Sequence, residues 1–394
     1  MYRYTVVMLR PVDASPLTDA CVNVRIEPAL AVDARLIAAW DALAQSASEP
    51  NAFGQSWFVT SALNHLCGDR DVQIAQVWRG DARLIGLIPL TRYSRYGRMP
   101  ARHVSNWTHY QSFMGTPLIA RGHEALFWCS LIKALDASDW ATGFLSLTGL
   151  AEHGAVHKGL CTAAAALGRR AATVHRFERA LLASELDGEA YLNAYVRPKK
   201  RKEYRRQANR LADLGTVNFS RLSDPSMLAD WCQTFLTLEA ASWKGRKGAA
   251  LANFSGTAQF FRDVISGAHA YGRLDFQRLD LDGRAIAMLI NFRTPPGSWS
   301  FKIAYDENLA RFSPGVLIEL ENLSYILGDA QIDWMDSCAA PDHPMINSLW
   351  GERRAIIQVT VQLSGAKRSA IFHACRAAEI ASAGLRHFRM AGFN

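Results

Sequence analysis

The sequence predicts an α/β (α+β) chain of two tandem units, each a mixed twisted sheet flanked by helices. Three observations carry this. First, 394 residues with 49% hydrophobic and 20% charged content make a folded chain long enough for two domains. Second, a hairpin pattern at 72–90 returns at 274–292. Third, Phe301-Lys-Ile-Ala-Tyr-Asp306 followed by Arg311-Phe-Ser-Pro-Gly-Val316 reads as a strand, a turn and the first turn of a buried helix.

The repeat sets the domain plan. Val72-Gln-Ile-Ala-Gln-Val-Trp78 turns at Arg79-Gly-Asp81 into Leu84-Ile-Gly-Leu-Ile-Pro-Leu90, and Asp280-Leu-Asp-Gly283 leads into Ala285-Ile-Ala-Met-Leu-Ile-Asn-Phe292. Aligning Asp81 with Asp282 gives an offset of 282 − 81 = 201 residues. Phe53, Trp57 and Phe58 open an aromatic helix before the first hairpin, as Phe254, Phe260 and Phe261 do before the second. The expected units are 1–180 and 181–365, with 366–394 a basic amphipathic helix.

Between the copies, eight of the fourteen residues 197–210 are Lys or Arg. After Pro198 this run predicts a helix with Gly215 in the C′ position. A strand at 217–222, helices at 226–241 and 258–270, and strands at 274–280, 285–293 and 298–303 follow. A helix at 314–327 and a strand at 331–335 complete the second unit. The tail, 367–390, has an apolar aspect (Ile371, Phe372, Cys375, Ile380, Leu385, Phe388). Its basic aspect is Lys367, Arg368, Arg376, Arg386, His387 and Arg389.

Composition narrows the function. No apolar run approaches the ~20 residues of a membrane span. The opening 1–10 is too short in apolar core for a signal peptide, so a cytoplasmic protein is expected, with the inner membrane surface as a peripheral location. Seven scattered cysteines without a C-x-x-C pair argue against a disulfide framework and a zinc site. A net charge of +8 implies an anionic partner: coenzyme A, acyl carrier protein, an anionic membrane surface or nucleic acid. Nucleic-acid readout is disfavoured, because the basic run has only Tyr204 as an interleaved aromatic and no accompanying motif.

The strand–turn–helix is more specific. Ser313 suits an N-cap, Pro314 the first helical position, and Gly315 admits a ligand close to the backbone. Unpaired N–H groups at such a helix start bind anions, with Arg311 and Lys302 adding charge. Without a nucleotide-kinase motif nearby, the anion suggested is coenzyme A.

Ser242-Trp-Lys-Gly245, Leu281-Asp-Gly-Arg-Ala-Ile-Ala287, Phe301-Lys-Ile-Ala-Tyr-Asp306 and Arg311-Phe-Ser-Pro-Gly315 occur in this order and spacing. With them the chain resembles the CelD/BcsL-like acyltransferases, of the tandem-GNAT group that includes the FemAB-type transferases. The resemblance covers roughly 20–360 and implies two GNAT-type folds, the C-terminal one binding acyl-CoA as donor. Carried over, the donor pyrophosphate would lie at Arg311, Ser313, Gly315 and Val316, with Lys302 at the same strand end. After residue 335 the sequence departs from the family, with Asp336-Ser-Cys-Ala-Ala-Pro-Asp-His-Pro-Met345, so no catalytic residue is carried over there. Bacterial ceramide synthases, which acylate a sphingoid base, belong to the same broad group. Sphingolipid and lipid biosynthesis is the role that this narrower resemblance implies.

N-acyl transfer needs a neutral amine, a polarised thioester and a proton acceptor. His343 is the first candidate base, with Asp336 or Asp342 orienting it; an ordinary loop histidine is the alternative. Cys338 could accept the acyl group or, more simply, help make room for a chain. Glu239 could hold the acceptor amine or form a helix-end ion pair with Lys244. Trp243, Tyr305 and Trp350 are candidate substrate contacts, and Asp306 an Asx anchor for the corner. His103, Trp107 and His109 mark a polar aromatic loop that could face the acceptor across the inter-unit cleft, a purely structural loop being the preferred reading. The rivals to a lipid amine acceptor are a cell-envelope polysaccharide or peptidoglycan amine, or a non-catalytic membrane-surface adaptor.

Overall fold

The computed structural model describes residues 22–80 and 82–391, with side chains of the last helix described as far as Ser382. Residues 1–10, Cys21 and Asp81 lie outside the described residues, as do the side chains of Leu385, Arg386, His387, Phe388 and Arg389.

In chain order the first half comprises β1 (Val22–Pro28), α1 (Ala34–Ser46), α2 (Ser56–Leu66), β2 (Val72–Arg79), β3 (Arg83–Tyr93), β4 (His103–Asn106), β5 (Leu118–Ile119), α3 (Glu124–Ala137), β6 (Leu145–Ala151), α4 (Ala155–Ala166) and β7 (Ala171–Leu182). The second half follows with α5 (Gly188–Tyr195), α6 (Pro198–Ala212), β8 (Val217–Arg221), α7 (Leu228–Ala241), α8 (Trp243–Arg246), α9 (Ser255–Ala270), β9 (Leu274–Leu281), β10 (Arg284–Thr294), β11 (Gly297–Tyr305), α10 (Pro314–Gly328), β12 (Trp334–Asp336) and β13 (Glu352–Val361). The tail helix is α11 (Ala366–Ala391). The two expected hairpins are β2–β3 and β9–β10.

The described strands form one mixed sheet, ordered β1-β2-β3-β4-β6-β13-β7-β12-β11-β10-β9-β8, with β5 paired to β3. Its centre departs from two sheets side by side. The last strand of the second half, β13, lies between β6 and β7, and the last strand of the first half, β7, lies between β13 and β12. Each half thus completes the other's sheet.

Strand alternation separates the two faces of β10. Met288, Ile290 and Phe292 join Phe235 and Phe261 of α7 and α9 in one apolar cluster, while Ala287 and Leu289 join Ile318 of α10 in another. The helices α2 and α9, which occupy matching places in the two halves, pack on each other. There Phe53 and Phe58 meet Phe292, and Phe58 lies edge-on to Phe260 and Phe301 with centroids 5.5 and 6.2 Å away. This aromatic seam is the floor of the region between the halves.

One local expectation is corrected. Gly215 is not the cap of α6, which closes at Asp213. It instead packs against Asp282, whose carboxylate accepts the Thr216 N–H at 2.8 Å; a Cβ on Gly215 would lie 2.1 Å from that carboxylate. The tail helix does not present all its basic residues to solvent. Arg368 donates to the carbonyls of Leu135, Asp136, Ser138 and Ala141, and Phe372 and Cys375 are buried with Ala101 and Phe144. No described helix is long and apolar enough to cross a membrane.

Candidate active site

The second half contains a fork. β11 and β12 run parallel and pair through Gly297–Trp334, Ser298–Met335 and Trp299–Asp336, after which β12 ends and β11 continues to Tyr305. A register shift against β10 between Ser300 and Lys302 leaves Phe301 as an extra residue. Such a bulge re-aims the side chains that follow it. The open side of the fork is bounded by Lys302–Tyr305 and by the loop from Ser337 to Met345.

At the fork's mouth α10 begins. Ser313 occupies the N-cap position, but with φ 53° and ψ 51°, and its hydroxyl makes no capping bond. The expected Ser313 cap is therefore corrected: its carbonyl, not its side chain, ties the turn by accepting from Val316 and Leu317 at 2.9 and 3.1 Å. A non-glycine residue in this left-handed region is strained, a cost common at ligand sites. Pro314 has no N–H to satisfy, and the Gly315 N–H remains for an outside acceptor. A Cβ on Gly315 would stand 3.1 Å from the Tyr305 ring, so that ring closes one side of the turn. Arg311 is exposed, stacks on Phe312 and has no carboxylate partner among the described residues. Asp306 holds the corner by accepting from Asn308 N–H at 3.0 Å and Arg284 at 2.7 Å.

Lys302 projects into the region between the halves. Its ammonium lies 5.2 Å from the Phe113 ring centre in the first half and 5.3 Å from that of Phe301 in the second. Burial, and then the nearby Lys244 charge, push its amine down to about 8. Lys302 in turn acts on His109, which burial first and this charge second push down to about 4. His109 stacks on Phe58 at 5.8 Å and its Nδ1 accepts from the Gln111 N–H at 3.3 Å. His103, by contrast, is in the first-half core, stacked on Phe144, and Trp107 is buried.

Glu239 and Lys244 form an ion pair at 3.0 Å, and the second Glu239 oxygen accepts from Leu251 N–H at 2.8 Å. Lys244 also donates to the Ile303 carbonyl at 3.1 Å. Both carboxylate oxygens are engaged, so this pair secures the 242–251 segment to β11. Trp243 stands at the surface, 45% exposed, with its N–H bonded to Glu307.

The loop after β12 brings Cys338 and His343 to the fork, but Asp336 does not touch His343. Asp336 is wholly buried and bridges Arg179 of β7 and Arg354 of β13, and it accepts the Cys338 N–H at 2.9 Å. The expected role of Asp336 beside the base is thus corrected. Cys338, at φ 51°, has its thiol held well above the usual range by burial and by Asp336, and is no thiolate. Burial lowers the His343 imidazole, whose Nδ1 accepts from the Ile346 N–H at 3.4 Å. Asp342 is exposed and makes no bond to it. Trp350, 1% exposed, lies in an apolar cluster with Tyr191 and Met335, which corrects its placement as a substrate contact. Sequence reasoning missed Arg179, Arg354 and Phe113. The one available signal was an arginine inside the apolar end of β7.

Residues 198–342 match the family described as acetyltransferase (GNAT) domain. Over this segment the chain is similar to GNAT acetyltransferases. It is therefore an acyltransferase, and the matched segment runs from the first residue of α6 to the loop that holds His343. Its fold is similar to the crystal structure of FemX, at 11% identity over 82% of this chain and 95% of that one, with a TM-score of 0.54. A conserved protein of unknown function from Bacteroides thetaiotaomicron VPI-5482 is similar at 12% identity, 82% and 96% coverage and a TM-score of 0.50. At these identities the likeness is one of fold. No curated protein is significantly similar in sequence.

The second-half fork has a closed counterpart in the first half. β4 and β6 pair through Val104–Leu145 and Ser105–Ser146, and there Asn106 fills the opening, donating to Gly115 and Thr148 carbonyls and accepting from Thr148 N–H. Gly115 seals it: a Cβ there would be 2.0 Å from the Thr148 carbonyl. The donor site expected in the second half has no open equivalent there. A 280 Å³ cavity lined by Arg25, Glu27, Asp33, Arg35 and Trp78 lies by the β1 edge and shares no residue with the second-half fork. Among the described residues no cluster of His, Cys, Asp and Glu is placed to hold a metal.

Proposed function

We propose that the protein transfers an acyl group from a coenzyme A thioester to a primary amine carried on a long apolar molecule, a sphingoid base being the specific candidate and a ceramide its product. The observation that supports this best is the fork between β11 and β12, with an anion-ready helix start at its mouth and the Lys302 amine beside it. The donor diphosphate sits at the free Gly315 N–H and Arg311, while the expected Val316 N–H is already taken by the Ser313 carbonyl, and the thioester arm runs into the fork. The part-exposed Phe113 ring, 5.2 Å from the Lys302 ammonium, favours an acceptor with an apolar chain. Such an amine partitions into bilayers, so the reaction runs at a membrane surface.

The chemistry is direct attack. The acceptor nitrogen attacks the thioester carbonyl, the C–N bond forms, the C–S bond breaks, and sulfur leaves with the electron pair. Burial favours the neutral His343 imidazole, which takes the amine proton at Nδ1, the nitrogen that otherwise accepts the 3.4 Å Ile346 contact, and passes it to the leaving thiolate. The Lys302 ammonium, present below about 8, stabilises the oxyanion. Two groups whose surroundings move their titrations to either side of neutrality suit acid–base work. Cys338 is not needed as a relay, since a protonated thiol is a poor nucleophile.

The test is thiol release from acyl-CoA donors of graded chain length with sphingoid-base, polysaccharide and peptide amines. Release that rises with chain length and requires the sphingoid base is expected. Release with the peptide or polysaccharide amine alone would overturn the lipid acceptor; no release with any acyl-CoA would overturn the donor.

A further inference from the structure

The outward face of α6 has no part in the chemistry above. This 15-residue helix is about 22 Å long at 1.5 Å per residue. Its apolar side is spent within the molecule: Leu211 is wholly buried with Phe312 and Ile318, and Tyr204 packs on the cluster that includes Val316. The helix therefore borders both the turn that carries Arg311 and the start of α10. On its outer side Lys199, Lys202, Arg205, Arg206 and Arg210 are exposed. Arg206 pairs with Glu203 at 2.7 Å; the other four have no carboxylate within ion-pair distance among the described residues.

A free coenzyme A does not account for this surface. Its phosphates belong at the helix start of α10, whereas the basic face continues outward along the neighbouring helix. The face is also unsuited to two other polyanions. Between Pro198 and Ala212 every exposed position is polar, so α6 has no apolar side to bury in a bilayer. Its only aromatic, Tyr204, is turned into the protein, leaving no platform on which bases could stack. A rigid acidic protein surface is the remaining complement, and the place beside the donor mouth says what it carries.

We propose that α6 docks an acyl carrier protein, a small acidic helical protein that presents the acyl chain on a phosphopantetheine thioester. The carrier's single phosphate takes the anion position at Gly315, its arm enters the fork, and its acidic helix lies along Lys199, Lys202, Arg205 and Arg210. This rests on the thioester-donor reading of the fork; the acyl transfer is the one already balanced, with the thiol leaving on the carrier's arm.

The full chain and a Lys202→Glu/Arg205→Glu/Arg210→Glu variant would be compared in two assays. Binding of fluorescently labelled acyl carrier protein, read by anisotropy, is independent of turnover. Thiol release from acyl carrier protein and from acyl-CoA of equal chain length reads the reaction. The expected result is roughly a tenfold or greater loss of carrier binding and carrier-dependent release at low salt, a gap that narrows as added salt weakens the wild type, while acyl-CoA release holds within about twofold. A Lys202→Gln/Arg205→Gln/Arg210→Gln variant with unchanged melting should lie between. Wild-type protein that does not bind the carrier, a variant that binds it undiminished, or an equal loss with both donors overturns the proposal. So does loss of binding confined to transfer RNA or anionic vesicles run alongside. Carrier binding without release from either donor would instead fault the acyl-transfer chemistry, leaving the docking surface in place.

Discussion

Arg179 and Asp336 meet where the two half-sheets exchange strands: the guanidinium Nε of β7 lies 2.6 Å from a carboxylate of β12 that has no exposed surface. Arg354 of β13 reaches the same carboxylate at 3.1 Å, and Arg179 also donates to the Phe113 carbonyl at 2.7 Å. One buried acid thus joins three strands, the Cys338 loop and the first-half segment that faces Lys302.

Removing that acid alone should be costly. Asp336→Ala leaves two guanidinium groups without their counter-charge, one of them deeply buried, and a loss of roughly 3–5 kcal/mol is expected. Urea unfolding of the variant measures it. A loss below about 1 kcal/mol would mean that solvent reaches the cluster.

Lys302→Met should separate stability from activity. The folded amine titrates at about 8 against 10.5 in the unfolded chain, so below 8 the folded state holds a poorly solvated charge. Stability of the wild type should accordingly rise with pH between 8 and 10.5, where the unfolded chain binds the extra proton. The methionine variant should be more stable at pH 7 by roughly 1–3 kcal/mol and lose most turnover. Calorimetry and thiol release on the same sample test both halves.

The rate against pH should be bell-shaped. The lower limb follows His343, whose burial places it below its ordinary 6.5, and the upper limb follows Lys302 near 8. His343→Ala should abolish the lower limb and most of the rate while acyl-CoA affinity stays nearly intact. A profile with its lower limb preserved would exclude His343 as the proton acceptor.

Donor affinity should respond at the start of α10. Gly315→Val places methyl groups against the Tyr305 ring and over the free N–H, and Arg311→Ala removes an exposed guanidinium beside it. Each should weaken coenzyme A binding by about tenfold, or ~1.4 kcal/mol, in a calorimetric titration. Melting temperature should barely change for Arg311→Ala, because that side chain supports only Phe312.

Much of the second half was legible because its signals are local. Alternating and continuous apolar runs gave β9, β10 and β11, and Pro314 marked the start of α10 one residue after a turn. The repeat offset brought the matching hairpins and aromatic helices into view. What escaped the sequence depends on contacts between distant segments. No periodicity tells β13 to lie between β6 and β7, since 352–361 would read the same beside β12. Asp336 looked like a partner for His343 because only seven residues separate them, yet its charge is satisfied by arginines 157 residues before it and 18 after. Trp350 likewise looked like a ligand contact from its place after the loop, and packing turned it inward. Ser313 was read as a cap by residue type, whereas its left-handed backbone directs the hydroxyl elsewhere.

The exchanged strands also constrain how the protein is made. While the ribosome is still adding residues beyond 300, the first half has its helices and seven strands, but β6 and β7 lack the strand that joins them, because that neighbour is 352–361. Contacts this remote in sequence form late and slow the search for the native state. The nascent first half therefore waits with an open strand edge, the kind of surface that invites aggregation or chaperone capture. A stop codon before 352 would cost the first half its fold as well as the second.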